Sequence, residues 1–142
     1  MRKKAIWLSM IMAGIGLLDS IYLLIFKLSD NNAMCLGSGG CSTVNASRYS
    51  ELYNIPVSLY GVMAFLVIAL LLIFELKNIV TKGNSNLLLF GISLVGVIFS
   101  SYLTYIEFYV IYAVCPFCVI SAVVMTIIFI ISATELVRSL NN

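Results

Sequence analysis

Four long apolar stretches constrain this chain more than any other feature of its sequence. Of its 142 residues, 62% are hydrophobic and only 10% are charged, whereas about a quarter of the residues in soluble domains are charged. A helix needs about 20 consecutive apolar residues to cross a bilayer. We therefore predict membrane-spanning helices over about 5–26, 55–76, 87–109 and 115–135. The expected fold is all-α, a four-transmembrane-helix bundle that occupies residues 1–142 as a single membrane domain.

Basic residues near the helix ends predict the orientation of this bundle. Two of them, Lys27 and Arg48, fall on one side of the predicted helices. Six fall on the other side: Arg2, Lys3, Lys4, Lys77, Lys82 and Arg138. Because short loops rich in lysine and arginine stay in the cytoplasm, we expect a multi-pass protein of the plasma membrane with both termini cytoplasmic. This asymmetry explains the net charge of +2, which gives no reason to expect a nucleic-acid partner.

The segment between the first two predicted helices, residues 27–54, forms the expected outer loop. Its first part is rich in Asn, Ser and Gly, a composition typical of irregular structure. Ser47 can cap a short helix in which Tyr49, Leu52 and Tyr53 share one face. We therefore predict a short surface half-helix that leads to Pro56 and the second spanning helix.

All four cysteines fall on the outer side of the predicted topology. Cys35 and Cys41 lie in the loop, and Cys115 and Cys118 lie where the fourth helix begins. The outer face of a bacterial plasma membrane, like the lumen of the endoplasmic reticulum, is where disulfides form and persist. We take all four cysteines as candidate catalytic residues.

The second cysteine pair has the features of an exchangeable disulfide. Proline is favoured at the first helical position, and Pro116 there would place Cys115 at the cap and Cys118 one turn later on the same face. Unpaired amides and the helix dipole stabilise a thiolate at such a position. Two alternatives stay open. Four cysteines can bind zinc, although an oxidising location and a chain without histidine lead us to expect no metal, and two structural disulfides would need no exchange chemistry.

The position of this pair at the membrane boundary predicts its partners. A lipid-soluble carrier could reach Cys118 from between the helices, and a water-soluble carrier could reach the loop cysteines. Quinones (menaquinone or ubiquinone) are the abundant two-electron carriers dissolved in bacterial membranes. Strongly oxidising thioredoxin-fold proteins have potentials of about −120 mV, so an acceptor that regenerates them must be more oxidising still, as a quinone can be.

A faint internal repeat relates the two halves of the chain. The pattern G-x-x-x-S-x-Y-L begins at Gly16 and recurs 80 residues later at Gly96, and the same offset carries Cys35 onto Cys115. Small residues at this spacing are also a common packing face of membrane helices. The repeat therefore indicates either helix packing alone or two helical hairpins that each deliver a cysteine to the outer surface.

Taken in order, a set of short motifs resembles the vitamin K epoxide reductase (VKOR) family, most of all the bacterial members that do the work of the disulfide-forming quinone reductase DsbB. The motifs are Cys35-x5-Cys41, Ser42-x-Val44, Ser47-Arg48, Ile55-Pro56-Val57-Ser58-Leu59-Tyr60-Gly61 and Cys115-x-x-Cys118. Each motif alone is weak, but their order is specific, and the resemblance extends from the first helix to the fourth.

The resemblance implies a four-helix bundle around a quinone, with a shuttle pair of cysteines in the outer loop. It implies that Cys35 and Cys41 exchange with a soluble or membrane-tethered thioredoxin-fold (DsbA-like) protein. It also implies that a loop cysteine attacks Cys115 and that Cys118 passes electrons to the quinone. Ser47 matches a serine that in the family lies near the cysteines and the quinone. The expected function is that of a membrane thiol:quinone oxidoreductase that supports disulfide formation in exported proteins.

Two positions depart from the vertebrate members of the family. Those members have a tyrosine four residues after the second C-x-x-C cysteine, where this chain has Ala122, and an asparagine four residues before the helix-two glycine, where it has Val57. Because these polar groups help to hold vitamin K and its epoxide, their absence favours a plain quinone. Some members carry a fused thioredoxin-like domain; since this chain stops at Asn142, we expect its thioredoxin-fold partner to be a separate protein.

Further candidate residues lie inside the predicted helices. Asp19 is an intramembrane carboxylate, a type of residue that is usually functional. It either hydrogen-bonds another helix or interfacial water, or it relays protons to a reduced quinone. Glu107 is expected at the outer interface, where simple solvation would account for it. Aromatic side chains that line a quinone pocket, or that only pack in the membrane, are Tyr60, Phe65, Phe99, Tyr102 and Phe117.

Three other functions remain alternatives to quinone-linked thiol oxidation. The first is reduction of vitamin K quinone or its epoxide. The second is a non-catalytic four-helix membrane protein with structural disulfides in its outer loop. The third is a transporter, which is disfavoured because the sequence lacks broken helices and paired polar residues at mid-membrane depth.

Overall fold

Four long helices dominate the computed structural model, which describes residues 3–29, 51–52, 55–111 and 116–141. Their bounds are α1 Lys3–Ser29, α2 Val57–Leu76, α3 Lys82–Ile106 and α4 Pro116–Asn141. Each is long and apolar enough to cross a membrane. The prediction of a four-transmembrane-helix bundle is therefore confirmed.

A short β-pair precedes α2 and moves its start from the predicted residue 55 to Val57. Strands β1, Glu51–Leu52, and β2, Ile55–Pro56, pair antiparallel, with Leu52 opposite Ile55. A residue before proline is driven out of the helical region, which explains the extended backbone at Ile55. The predicted surface half-helix therefore does not extend through Leu52, and the rest of it lies outside the described residues.

The other helix ends also differ from those predicted by hydropathy. The helix α3 begins at Lys82 rather than 87, and α4 continues through Asn141 rather than ending at 135. Polar residues continue a helix readily beyond the apolar core, so hydropathy marks the membrane span and not the helix end. A π-helical segment, Glu107–Ile111, directly follows α3.

The turn between α2 and α3 is closed by Asn78. Its φ of 56° lies in the left-handed region, which Asn tolerates better than most residues. The Asn78 amide donates to the Glu75 carbonyl at 3.1 Å, and the Ile79 amide donates to the Phe74 carbonyl at 3.0 Å. These two bonds form the Schellman ending of a helix, which turns the chain back into α3 within a few residues.

The four helices form two hairpins, α1 with α2 and α3 with α4, and α1 also packs along α4. In each hairpin a glycine of the first helix makes room for a large side chain of the second. A Cβ on Gly16 would lie 2.8 Å from Phe65 Cδ1, and a Cβ on Gly96 would lie 2.8 Å from Met125 Sδ. The repeated glycines therefore have equivalent packing roles in the two hairpins.

The centre of the bundle is a core of buried apolar side chains. Its members are Ile6, Ala13, Phe65, Ile68, Leu72, Leu89, Val124, Met125 and Ile128. Large apolar side chains are exposed on the outer surfaces, including Leu18, Ile98 and Leu140, as expected of helices surrounded by lipid. Packing is sparser between α2 and α3 than within either hairpin, and this leaves space inside the bundle.

Buried hydrogen bonds join polar groups within the apolar bundle. The hydroxyls of Ser93 in α3 and Ser132 in α4 lie 3.1 Å apart. Near the α2–α3 turn, the Ser85 hydroxyl donates to the buried Glu75 carboxylate at 2.8 Å. Such interhelical bonds help to hold membrane helices together where lipid offers no alternative partner.

Candidate functional site

A cavity of about 800 Å³ occupies the space between the helices. Its wall is mostly apolar, and all four helices contribute to it. Along α3 it extends from Leu87 to Glu107, just past the end of that helix, which is about 30 Å of helix rise and thus most of the bilayer core. The cavity is therefore long and apolar, with the dimensions of a binding site for a lipid-like molecule.

Cys118 places a sulfur atom at the wall of this cavity. The helix α4 begins at Pro116, so Cys118 lies in its first turn, as the sequence predicted. Its side chain is partly buried and lines the cavity. The other predicted site residues Cys35, Cys41, Ser47 and Cys115 lie outside the described residues, and their roles stay predictions.

Of the five candidate aromatic residues, three line the cavity: Tyr60, Phe65 and Phe99. The Phe117 ring is not part of the lining; it contacts the ring of Tyr22 in α1, with centroids 4.7 Å apart. Tyr102 is 56% exposed and also lies outside the lining. The structure thus brings Tyr60 and Phe65 to the cavity with Cys118, and it places Phe117 in an α1–α4 packing contact.

Polar side chains are few in the cavity wall, and sequence reasoning missed most of them. Hydroxyl groups come from Ser20, Ser58, Ser100, Thr104 and Ser121. Glu107 contributes a carboxylate, and its burial shows that it is not simply a solvated residue of the interface. The Thr104 hydroxyl donates to the Ser100 carbonyl of its own helix at 2.8 Å.

One sequence signal could have identified Ser121. It follows Cys118 by three residues, and residues at that spacing lie on the same face of a helix. Both side chains do line the cavity.

Asp19 lies directly behind this polar part of the wall. Its side chain is 8% exposed and does not itself line the cavity. The Ser121 hydroxyl donates a hydrogen bond to Asp19 Oδ2, which links α1 to α4. Of the two structural interpretations of Asp19, the bond to another helix is therefore present, and the hydroxyl that makes it also faces the cavity.

A second close contact links α1 to α2 at the neighbouring residue. A Cβ on Gly61 would lie 2.9 Å from the Ser20 hydroxyl oxygen, so a side chain at residue 61 would displace that serine. Gly61 and Ser20 both line the cavity. Consecutive residues of α1 thus place one polar side chain against α4 and one against α2.

Comparison with known proteins agrees with this architecture. The model of the vitamin K epoxide reductase family matches residues 7–133 of the chain. The thiol-disulfide oxidoreductase LTO1 of Arabidopsis thaliana is 30% identical over 125 residues, which is 84% of this chain and 33% of that protein. The chain thus spans about a third of the length of this relative. The family model reaches into all four spanning helices, so the chain belongs to the vitamin K epoxide reductase family.

Proposed function

We propose that this protein is a thiol:quinone oxidoreductase that supports disulfide formation in exported proteins. Electrons enter from a reduced thioredoxin-fold (DsbA-like) protein at Cys35 and Cys41. They pass to the disulfide of Cys115 and Cys118, and Cys118 delivers them to a membrane quinone. The naming of the Arabidopsis relative as a thiol-disulfide oxidoreductase supports the thiol half of this route.

The observation that carries the proposal is the position of Cys118 in the wall of a long apolar cavity. A disulfide with a purely structural role does not need an apolar cavity beside it. A thiol that exchanges electrons with a lipid-soluble molecule needs direct contact with a space which that molecule can occupy. The first turn of α4 provides this contact.

The residues around the cavity fit a quinone. Its elongated, apolar wall suits a ring with a long hydrocarbon tail. Ser58 and Tyr60 add hydroxyl groups to the wall, and a hydroxyl is a polar group that can donate a hydrogen bond to a carbonyl oxygen. Val57 also lines the cavity, and its apolar side chain at the position of a vertebrate asparagine favours a plain quinone over an epoxide.

The chemistry balances within one catalytic cycle. A quinone held in the cavity would supply an acceptor for two electrons and two protons. The dithiol of Cys115 and Cys118 releases two electrons and two protons when it closes to a disulfide, so one disulfide forms for each quinone consumed. A loop thiolate then reopens this disulfide by exchange. The net result is one disulfide in the thioredoxin-fold partner.

The orientation of the protein is part of this proposal. Lys3 and Lys4 begin α1, and Lys77 lies in the turn after α2. Arg138 lies in the last turn of α4. By the positive-inside rule these ends face the cytoplasm, so Cys118 faces the extracytoplasmic side of the plasma membrane, where a DsbA-like partner is found.

Purified protein mixed with a soluble quinone and a reduced thioredoxin-fold protein tests the proposal. Loss of quinone absorbance, matched mole for mole by oxidation of the partner, is the expected result. The Cys118→Ala variant should leave the quinone unchanged. A wild-type protein that also leaves the quinone spectrum unchanged would indicate the non-catalytic bundle with structural disulfides. Reduction confined to an epoxide substrate would indicate a reductase of vitamin K epoxide.

A further inference from the structure

We propose that Asp19 supplies a proton to the quinone through the hydroxyl of Ser121. This inference rests on the proposed function, because it assigns the proton route for the same cavity. It makes Ser121 a catalytic residue at the cavity wall and Asp19 the positioning residue and proton source behind it.

The geometry provides a continuous path from one helix to the cavity. Asp19 is in α1 and is shielded from the cavity, while Ser121 is in α4 and faces it. The bond from the Ser121 hydroxyl to Asp19 Oδ2 joins the two groups. A hydroxyl has one donor and two acceptor sites. When Asp19 is protonated, the bond between the pair can therefore reverse: the carboxyl proton points to the Ser121 oxygen, and the Ser121 hydrogen turns to an oxygen in the cavity.

The same face of α4 contains the electron donor. Cys118 and Ser121 are three residues apart and both line the cavity, which places their Cβ atoms roughly 5–6 Å from each other. A ring that accepts electrons from Cys118 therefore lies within reach of the Ser121 hydroxyl. Electron and proton delivery then share one turn of one helix.

Helix packing alone does not account for an acid at this position. Among the residues that the structure describes, Arg138 forms an ion pair with Glu135, and no lysine or arginine pairs with Asp19. A carboxylate inside the membrane is costly. An asparagine would accept the same hydrogen bond from Ser121 without that cost. The feature that asparagine lacks is an acidic proton.

The step conserves protons and electrons. As Cys118 and Cys115 close to a disulfide, two electrons leave the sulfurs. Asp19 in its protonated form passes its proton to the Ser121 oxygen, and Ser121 passes its own proton to a quinone oxygen. Asp19 is left as a carboxylate, which regains a proton released by the dithiol. The second quinone oxygen receives the other dithiol proton.

Glu107 is the competing acid, because it is buried and lines the same cavity directly. It follows α3 at the start of the π-helical segment, whereas Asp19 connects to the helix that contains Cys118. The proposal assigns the proton to Asp19, and the Glu107→Gln variant is therefore a necessary arm of the test.

The kinetic test mixes the pre-reduced protein with a soluble quinone and follows quinone absorbance in a single turnover. Asp19→Asn keeps the hydrogen-bond acceptor but removes the proton. We expect it to slow quinol formation by about 100-fold or more, the usual contribution of general acid catalysis, with no change in the quinone concentration that gives half-maximal rate. Asp19→Glu should recover part of the rate. Ser121→Ala should be as slow as Asp19→Asn, and Ser121→Thr should be near wild type.

Matched controls come from the far part of α4. Glu135→Gln neutralises a buried carboxylate that lies outside the cavity wall. Thr134→Val removes a hydroxyl that bonds the Ile130 carbonyl of its own helix. Both variants should react at the wild-type rate, and disulfide exchange with the thioredoxin-fold partner should be unchanged in Asp19→Asn.

Infrared difference spectroscopy provides a readout that is independent of turnover. We expect a carboxyl C=O band that changes when the bound quinone is reduced at an electrode. This band should be absent in Asp19→Asn and shifted in Ser121→Ala. Persistence of the same band in Asp19→Asn together with its loss in Glu107→Gln would assign the proton to Glu107 and overturn the proposal.

Failure of this inference differs from failure of the proposed function. A wild-type protein that reduces quinone together with an equally fast Asp19→Asn variant overturns the proton route alone. An Asp19→Asn variant that is slow only because it binds quinone weakly also overturns it, since that result assigns Asp19 a purely structural role. A wild-type protein that reduces no quinone overturns the proposed function, and the proton route with it.

Discussion

Replacing Gly16 by alanine should destabilise the bundle and distort the cavity at the same time. The new Cβ would lie 2.5 Å from Phe65 Cζ and 2.8 Å from Phe65 Cδ1, well inside van der Waals contact. Phe65 is 2% exposed and lines the cavity. Its ring must therefore move away from α1 and toward the space that a quinone would occupy.

Two opposing effects set the change in the free energy of unfolding. Overpacking a filled core costs about 1–3 kcal/mol, while Ala in place of Gly in a helix contributes up to about 1 kcal/mol. We expect Gly16→Ala to lower the free energy of unfolding by about 1–2 kcal/mol. Equilibrium unfolding in detergent measures this change, and a titration with quinone measures the accompanying loss of affinity.

The chain offers a matched control for this substitution. A Cβ on Gly14 would meet no atom within 4 Å, so Gly14→Ala should be neutral or slightly stabilising. In a Phe65→Leu background, which lacks the Cζ atom, Gly16→Ala should cost less stability than it does in the wild type. If Gly16→Ala is as stable as Gly14→Ala and binds quinone normally, the close packing of α1 on Phe65 is refuted.

Two further predictions concern the cysteines. A membrane-impermeant thiol reagent should label reduced Cys35 and Cys41 in intact cells, and labelling only after the membrane is breached would reverse the orientation. Cys118→Ala should leave Cys115 free to be trapped with a loop cysteine, and we expect Cys41 because it adjoins the segment leading to α2. Peptide mapping that finds Cys115 joined to Cys35 instead would exchange the roles of the two loop cysteines.

Hydropathy was sufficient to predict the four spanning helices, because the cost of burying polar groups in lipid dominates everything else in such segments. It was less informative about helix ends. Lys82 begins α3 five residues before the predicted start, since a helix can continue through polar residues at the interface, which hydropathy does not count as part of the span. Pro56 displaced the start of α2 through local backbone sterics, which hydropathy ignores.

The lining of the cavity was harder to predict, since membrane helices that are apolar on every side have no amphipathic stripe to mark the inner face. Tyr60 and Phe65 line the cavity, whereas Phe117 packs on Tyr22. These outcomes depend on how each helix is rotated about its own axis against its neighbours. The sequence of one helix does not specify that rotation. The bond from Ser121 to Asp19 was missed for the same reason, because it depends on the contact between α4 and α1.

The central claim is that Cys118 contacts a quinone, and the visible spectrum of the Cys115→Ala protein tests it most directly. Without Cys115 the disulfide cannot re-form, so a Cys118 thiolate should remain beside the electron-poor ring. We predict a charge-transfer band in the protein purified with quinone, which fades on acidification as the thiolate is protonated. The band should be absent when Cys118 is also replaced by alanine. A band of equal strength in that double variant, or a colourless Cys115→Ala protein with quinone bound, would contradict the assignment of Cys118 as the electron donor.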